Sequence, residues 1–156
     1  MPFDANLVLC DGDASYDWSY ANLVTNNYGH PHSTTRVGGF VVIDQQALST
    51  MAASGMAAIF IADHAGLATD DALTLVLQGS NELDFVADAT NPVRTLATFD
   101  IGGVTAGVIL GNECPCTVVR RFNTNLRYIR AYATCVAGDN FYTCYMFLAP
   151  WPVYTL

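Results

Sequence analysis

The sequence contains no lysine, and its charged residues are few. Charged side chains make up 13% of the 156 residues, against 52% hydrophobic ones, whereas soluble domains usually carry about one quarter charged residues. The exterior must therefore consist largely of Thr, Asn, Ala and aromatic groups. We expect part of this surface to be buried against partners; a compact, weakly charged acidic monomer is the alternative.

Several functional signatures are also missing. The N-terminus shows no basic segment followed by an apolar one, so we expect no signal peptide. No apolar run approaches the roughly 18–20 residues that span a bilayer. Nucleophile-elbow, P-loop and dinucleotide-binding motifs are absent from the sequence, and a formal net charge of −8 repels phosphate. We therefore predict no enzyme activity, no cofactor, and no binding to nucleic acid or membrane.

Two short motifs are candidate metal sites. Cys114 and Cys116 flank a proline, but zinc sites favour two to four residues between paired cysteines. His30 and His32 also flank a proline and lack the later Glu and His of a cupin site. A turn with buried thiols explains the first motif, and a turn explains the second. We predict no metal centre and keep these four residues as weak candidates. The odd number of cysteines indicates free thiols in a reducing cytoplasm.

Short β-type runs separated by turn residues dominate the chain. The clearest run is 72–78, in which Leu73, Leu75 and Leu77 share one face. We expect strands at 6–10, 37–43, 56–62, 72–78, 93–99, 104–110, 117–122, 126–135 and 141–148. This spacing predicts a single all-β domain, a jelly-roll-like β-sandwich or barrel. The expected parts are a core over about 4–148, a loop or arm over 14–36, a short helix over 45–56 and an apolar tail over 149–156.

The positive charge is concentrated in one segment. Four of the six arginines lie between Arg120 and Arg130. Residues 1–100 carry twelve acids and two arginines, net −10, whereas residues 101–156 carry two acids and four arginines, net +2. The two halves are therefore complementary, either within the fold or between copies of the chain.

Two interpretations of the arginine segment remain open. Strand alternation places Arg127 on one face, and Tyr128 and Arg130 on the other. Their guanidinium groups either pair with acids of the same chain or contact an acidic patch on a partner, with tyrosine as an amphipathic anchor. Arg120 and Arg121 lie nearer a turn and are the better candidates for outward contact.

The C-terminal segment supplies two further candidate contacts. Trp151 and Tyr154 lie in a proline-rich apolar tail, whereas chain ends are usually polar and frayed. We expect this tail to dock on the chain's own body or on a neighbour.

Three segments, in order, resemble the capsid cement (decoration) proteins of short-tailed phages. They are the opening 3–9 followed by Asp11, the strand 73–80 with its Gln-x-Ser ending and Phe85 beyond it, and the Arg-Tyr-Ile-Arg strand 127–130 followed by the last hairpin. The resemblance covers most of residues 4–148. Departures are the insertion at 14–36, the motif at 114–116 and the tail.

The resemblance implies a jelly-roll-like domain on the outer surface of a tailed-phage capsid. Copies would pair, as a homodimer rather than a trimer, and would bridge neighbouring major capsid protein subunits without catalytic residues. The protein would be made in the bacterial host cytoplasm and reside in the virion. The alternative is a carbohydrate-binding jelly-roll module of a phage tail or fibre, with Trp18, Trp151 and tyrosines as stacking platforms. A cupin-like metal enzyme is the third hypothesis.

Overall fold

Alternating apolar residues place most of the described chain in antiparallel β-strands. The computed structural model describes residues 7–11, 18–19, 42–45, 55–62, 72–86, 88, 90–102, 116–135, 140–141 and 144–150. The strands are β1 (Val8–Asp11), β2 (Trp18–Ser19), β3 (Ile43–Asp44), β4 (Met56–Ala62), β5 (Ala72–Ser80), β6 (Arg94–Gly102), β7 (Cys116–Phe122), β8 (Tyr128–Cys135), β9 (Asn140–Phe141) and β10 (Cys144–Pro150).

The strands pair in a nested order. Sheet one contains β1-β10-β4-β7, sheet two contains β3-β8-β5-β6, and β2 pairs with β9. The first described strand thus pairs with the tenth, the second with the ninth, and so on inward to β5 and β6. The pairs β10–β4 and β5–β8 then join these hairpins into the two four-stranded sheets. The strands of the two halves of the described chain therefore pair antiparallel with each other, and these pairs are divided between two sheets.

Apolar residues at every second position hold the two sheets together. Met56, Ala58 and Phe60 of β4 point into the same core as Leu75 and Leu77 of β5. The core also receives side chains from β1, β3, β6, β7, β8 and β10, namely Leu9, Ile43, Phe99, Phe122, Ile129, Ala131, Ala133, Met146 and Leu148. Because side chains alternate across a strand, the intervening residues face outward. The predicted all-β sandwich is confirmed.

One aromatic pair joins the sheets directly. Phe60 of sheet one and Phe99 of sheet two are both fully buried, with ring centroids 5.7 Å apart and a 47° interplanar angle. This tilted geometry is one that aromatic pairs prefer. The two rings therefore pack β4 of sheet one against β6 of sheet two.

Element limits differ from the predictions in several places. β4 has the predicted limits, but the predicted strand 141–148 is divided into β9 and β10. β10 runs through Pro150, opposite Met56, so the first two residues of the predicted tail belong to sheet one. Trp18 and Ser19, predicted within a loop, form β2.

Other predicted elements are described only in part. The predicted helix is described only at its ends, where Gln45 lies in a turn and Met56 starts β4. Residues 104–110, 20–36 and 151–156 lie outside the described residues.

Candidate functional site

The arginine segment passes from one sheet to the other. Arg120 and Arg121 belong to β7 in sheet one, whereas Arg130 belongs to β8 in sheet two, and Arg127 immediately precedes β8. The turn 123–127 therefore separates side chains that are close in sequence. The four cations do not form one continuous surface.

Arg127 binds a carboxylate of its own chain. Its Nε and Nη2 donate to Asp44 Oδ1 and Oδ2 at 3.1 and 2.9 Å, a forked pair. Its guanidinium also lies 4.7 Å from the centroid of the Tyr128 ring. The hydrogen bond to Asp44 raises the pKa of Arg127, and this outweighs the opposing effect of desolvation. The guanidinium loses its charge, and with it the stabilisation from this pair, only when the pH rises through this raised pKa. Arg127 therefore stays charged throughout the neutral range.

Arg130 is more deeply buried than Arg127 and contacts three side chains of its own chain. It is 6% exposed, and its Nε donates to Gln78 Oε1 at 2.9 Å. Its guanidinium lies 4.2 Å from the Phe85 ring centroid and 5.2 Å from that of Tyr132. A buried cation needs such partners, because desolvation without them is strongly unfavourable. Gln78 lies directly opposite Arg130 in the β5–β8 register, so strand pairing aligns the contact.

Arg130 thereby joins the residues that carry the family resemblance. The Gln-x-Ser strand contributes Gln78, the turn beyond it contributes Phe85, and the Arg-Tyr-Ile-Arg strand contributes Arg130 itself. Tyr128, 7% exposed, packs with Phe85 and Val42 in a small cluster on the outer side of sheet two. From the sequence, Arg127, Arg130 and Tyr128 are candidates for contact with a partner, and pairing within the chain is the other interpretation. These internal contacts leave Arg130 and Tyr128 little surface for a partner.

A well-braced turn positions Phe85. Its φ of 54° lies in the left-handed region that non-glycine residues rarely adopt, and its N–H donates to Glu82 O at 3.3 Å. The Glu82 N–H donates to the buried Ser80 Oγ at 2.9 Å. The strain is offset by burial of the Phe85 ring against Arg130.

The connection from β5 to β6 begins with residues 81–91, which are termed the acidic loop. Asp88 Oδ1 accepts the N–H groups of Thr90 and Asn91 at 2.7 and 2.6 Å, and Asn91 Nδ2 donates to Glu82 Oε1 at 2.8 Å. Asn81 Oδ1 accepts the Arg127 N–H at 3.1 Å, which ties the loop to the start of β8. The carboxylates of the loop therefore organise its backbone.

One apolar side chain projects from the acidic loop. Val86 is 62% exposed, and its N–H donates to Asp84 Oδ1 at 3.1 Å. Glu82, Asp84 and Asp88 around it are exposed as well. Sequence reasoning missed this feature, because its only signal was the polar stretch that surrounds Phe85.

Arg120 and Arg121 are both exposed, but on opposite faces of β7. Arg120 lies on the side of the core-facing Val118 and Phe122, and its guanidinium is 6.0 Å from the Phe99 ring centroid. It donates to the neighbouring Val119 O at 3.5 Å. Arg121 lies on the outer face of sheet one, opposite Ala57. Both arginines are exposed, and their contact with a partner remains a prediction.

The outer face of sheet one is mostly apolar. Val8, Phe147, Ile59 and Val119 are register partners in a row across its four strands. The next row contains Tyr145 and Ile61. The surface formed by Ile59, Ile61, Val119, Tyr145 and Arg121 is termed the arginine-edged patch. Val119 is 41% and Tyr145 38% exposed, whereas Phe147 is buried.

The remaining predicted candidates lie mainly outside the described residues. Trp151, Tyr154, Cys114, His30 and His32 are all outside them, and Cys116 begins β7. Within the described ranges, no group of three or more His, Cys, Asp or Glu residues is placed to hold a metal ion. Nor does any helix there have the length and apolar character to cross a membrane.

Comparison with protein-family models, with curated proteins and with solved structures finds no match to this chain.

Proposed function

We propose that this chain is a structural virion protein that decorates and cements a tailed-phage capsid. It binds the outer surface of the shell and bridges neighbouring major capsid protein subunits. The observation that carries the proposal is the placement of the arginines: Arg120 and Arg121 are exposed and lie on opposite faces of β7, whereas Arg130 is buried and Arg127 is paired with Asp44. A bridging protein needs contact surfaces that point in different directions.

The strand order supports the same assignment. Pairing of strands from the chain ends inward, divided over two four-stranded sheets, is the order of a jelly roll. We infer a jelly roll on this ground. Gln78 and Phe85, which belong to the segments that resemble cement proteins, both contact Arg130. These residues therefore occur together because the fold needs them, and not because they bind a partner.

Arg120 is the residue assigned to the shell contact. Its exposed guanidinium lies at the β6–β7 side of the sandwich beside a buried aromatic ring, a position from which it can make forked bonds to a carboxylate of the shell. Because a cement protein binds the assembled shell and not its dissociated subunits, mass action stabilises the shell. Modest contacts suffice when one copy engages several subunits.

Co-sedimentation with shells tests the proposal. Purified protein is mixed with shells assembled from the major capsid protein of the same phage, and with dissociated subunits. We expect binding to shells only, and a rise in shell melting temperature. Arg120→Glu should raise the dissociation constant at least about tenfold at low salt and less at high salt, because screening weakens exposed charge contacts.

Arg94→Glu is the matched control, since it makes the same charge change at another exposed arginine. It lies about 17 Å along β6 from Phe99, five residues at strand spacing. We expect it to bind shells as the unaltered protein does. Binding to a glycan array without shell co-sedimentation would overturn the proposal in favour of the carbohydrate-binding module.

A further inference from the structure

We propose that the acidic loop of one copy binds the arginine-edged patch of a second copy, with Val86 packing against Val119 and Tyr145. The contact goes beyond shell binding: it joins the acidic loop to the face of sheet one that carries Arg121, and Arg120 remains the residue assigned to the shell. It is a contact between unlike surfaces, repeated from copy to copy.

Exposed apolar side chains identify the two surfaces. Among the residues that the structure describes, the exposed large hydrophobic side chains are Val86 at 62%, Val119 at 41% and Tyr145 at 38%. One lies on the acidic loop and two lie on the arginine-edged patch. Apolar groups that remain exposed within a charged surround are typical of sites that a partner covers.

Opposite charge makes the two surfaces complementary. Glu82, Asp84 and Asp88 surround Val86 and are exposed, while Arg121 borders Val119 on the outer face of sheet one and is exposed too. A two-fold contact of one acidic loop with another would bring like charges together, which is unfavourable. Loop against patch brings opposite charges together around an apolar centre.

The two surfaces cannot meet within one copy. Phe85 holds the acidic loop against Tyr128 and Arg130. Tyr128 and Arg130 alternate along β8 with the core residues Ile129 and Ala131, so they lie on the outer face of sheet two. The patch is on the outer face of sheet one. Two packed sheets, about 10 Å apart, lie between them. The contact is therefore intermolecular and heterologous, so it closes into a ring or extends as a chain.

The acidic loop is preorganised for binding. Hydrogen bonds from the backbone to Asp84 and Asp88, and from Asn91 to Glu82, hold its backbone. Ordering such a loop before association reduces the entropy lost on binding. The side chain of Val86 contributes none of these bonds, so its replacement tests the contact without dismantling the loop.

A paired charge substitution tests the proposal in the absence of shells. Val86→Lys places a cation opposite Arg121, and Val119→Glu places an acid opposite the acidic loop. Sedimentation velocity over a concentration series should show self-association of the unaltered chain, and a dissociation constant at least about tenfold higher for each single variant. An equimolar mixture of the two variants should regain association, because the introduced lysine then meets the introduced glutamate and the original surfaces meet at alternate contacts.

Thr98→Lys and Thr98→Glu introduce the same two charges at an exposed position outside both surfaces, and should associate normally. Far-ultraviolet circular dichroism checks that all variants fold. A chain that stays monomeric up to about 1 mM overturns the proposal, as does association that the single variants leave intact or that their mixture fails to restore. If this contact and the cement function are separate, the single variants Val86→Lys and Val119→Glu should lose self-association but still bind shells. A monomeric unaltered chain that still binds shells would reject this contact while leaving the cement function standing.

Discussion

The contact between Arg130 and Phe85 should be a principal source of stability on the outer side of sheet two. Arg130→Met keeps much of the aliphatic stem but removes a charge-assisted hydrogen bond to Gln78, worth about 1.5–3 kcal/mol. It also removes a largely desolvated cation–π contact of about 1–2 kcal/mol. Relief of the buried charge offsets part of this loss. We expect a net destabilisation of about 2–4 kcal/mol.

A double-mutant cycle isolates the ring contact. Phe85→Leu retains an apolar side chain without the aromatic face, so in that background Arg130→Met should cost less. We expect a coupling energy of about 1–2 kcal/mol. Urea unfolding of the four proteins, followed by circular dichroism, gives the four free energies, provided that the denaturant dependence is unchanged.

The exposed Arg94 supplies the control, and Arg94→Met should change stability by less than about 0.5 kcal/mol. A coupling between Phe85 and Arg130 below about 0.5 kcal/mol, within ordinary additivity, would mean that the stacking makes no specific contribution to stability, contrary to this prediction. Equal destabilisation by Arg94→Met would show that loss of any arginine charge, and not this contact, is responsible.

Two further predictions concern buried positions. Gln45 is 7% exposed, and its side-chain amide has no hydrogen-bond partner among the described residues. Gln45→Met should therefore raise the free energy of unfolding by about 1 kcal/mol, and Gln45→Glu should lower it. A lower melting temperature for the methionine variant would contradict this. A Cβ at Gly79 would lie 2.9 Å from Leu126 Cδ1 and 3.0 Å from Leu96 Cδ1, so Gly79→Ala should lower the free energy of unfolding by about 1–3 kcal/mol. An unchanged urea midpoint would mean that both leucine side chains move aside without loss of packing.

Much of the strand pattern is predictable because it is local. Leu73, Leu75 and Leu77 alternate, and the corresponding strand forms; β4 begins and ends at the predicted residues. Alternation places Ile129 and Ala131 on the face opposite Tyr128, and they are buried in the core. A period of two residues determines which side chains share a face, whatever the partner strand.

Positions at strand ends are less predictable. The sequence pattern assigns Pro150 to the tail, yet this residue ends β10 opposite Met56. Proline has no N–H to donate, but it is tolerated at the margin of a sheet. The pairing partner, which is distant in sequence, decides how far a strand continues.

The charge clustering of Arg120–Arg130 is a property of the sequence, and it indicates that the arginines need acidic or aromatic partners. Which partner each one finds depends on contacts between residues far apart in the chain, such as Asp44 with Arg127 and Phe85 with Arg130. From the sequence alone an all-β domain, either a sandwich or a barrel, with few charged residues could be predicted, because alternation and composition are local properties. The three-dimensional structure is needed to show that Arg130 is buried while Arg120 and Arg121 are exposed, because the segment after β7 carries the chain from one sheet to the other.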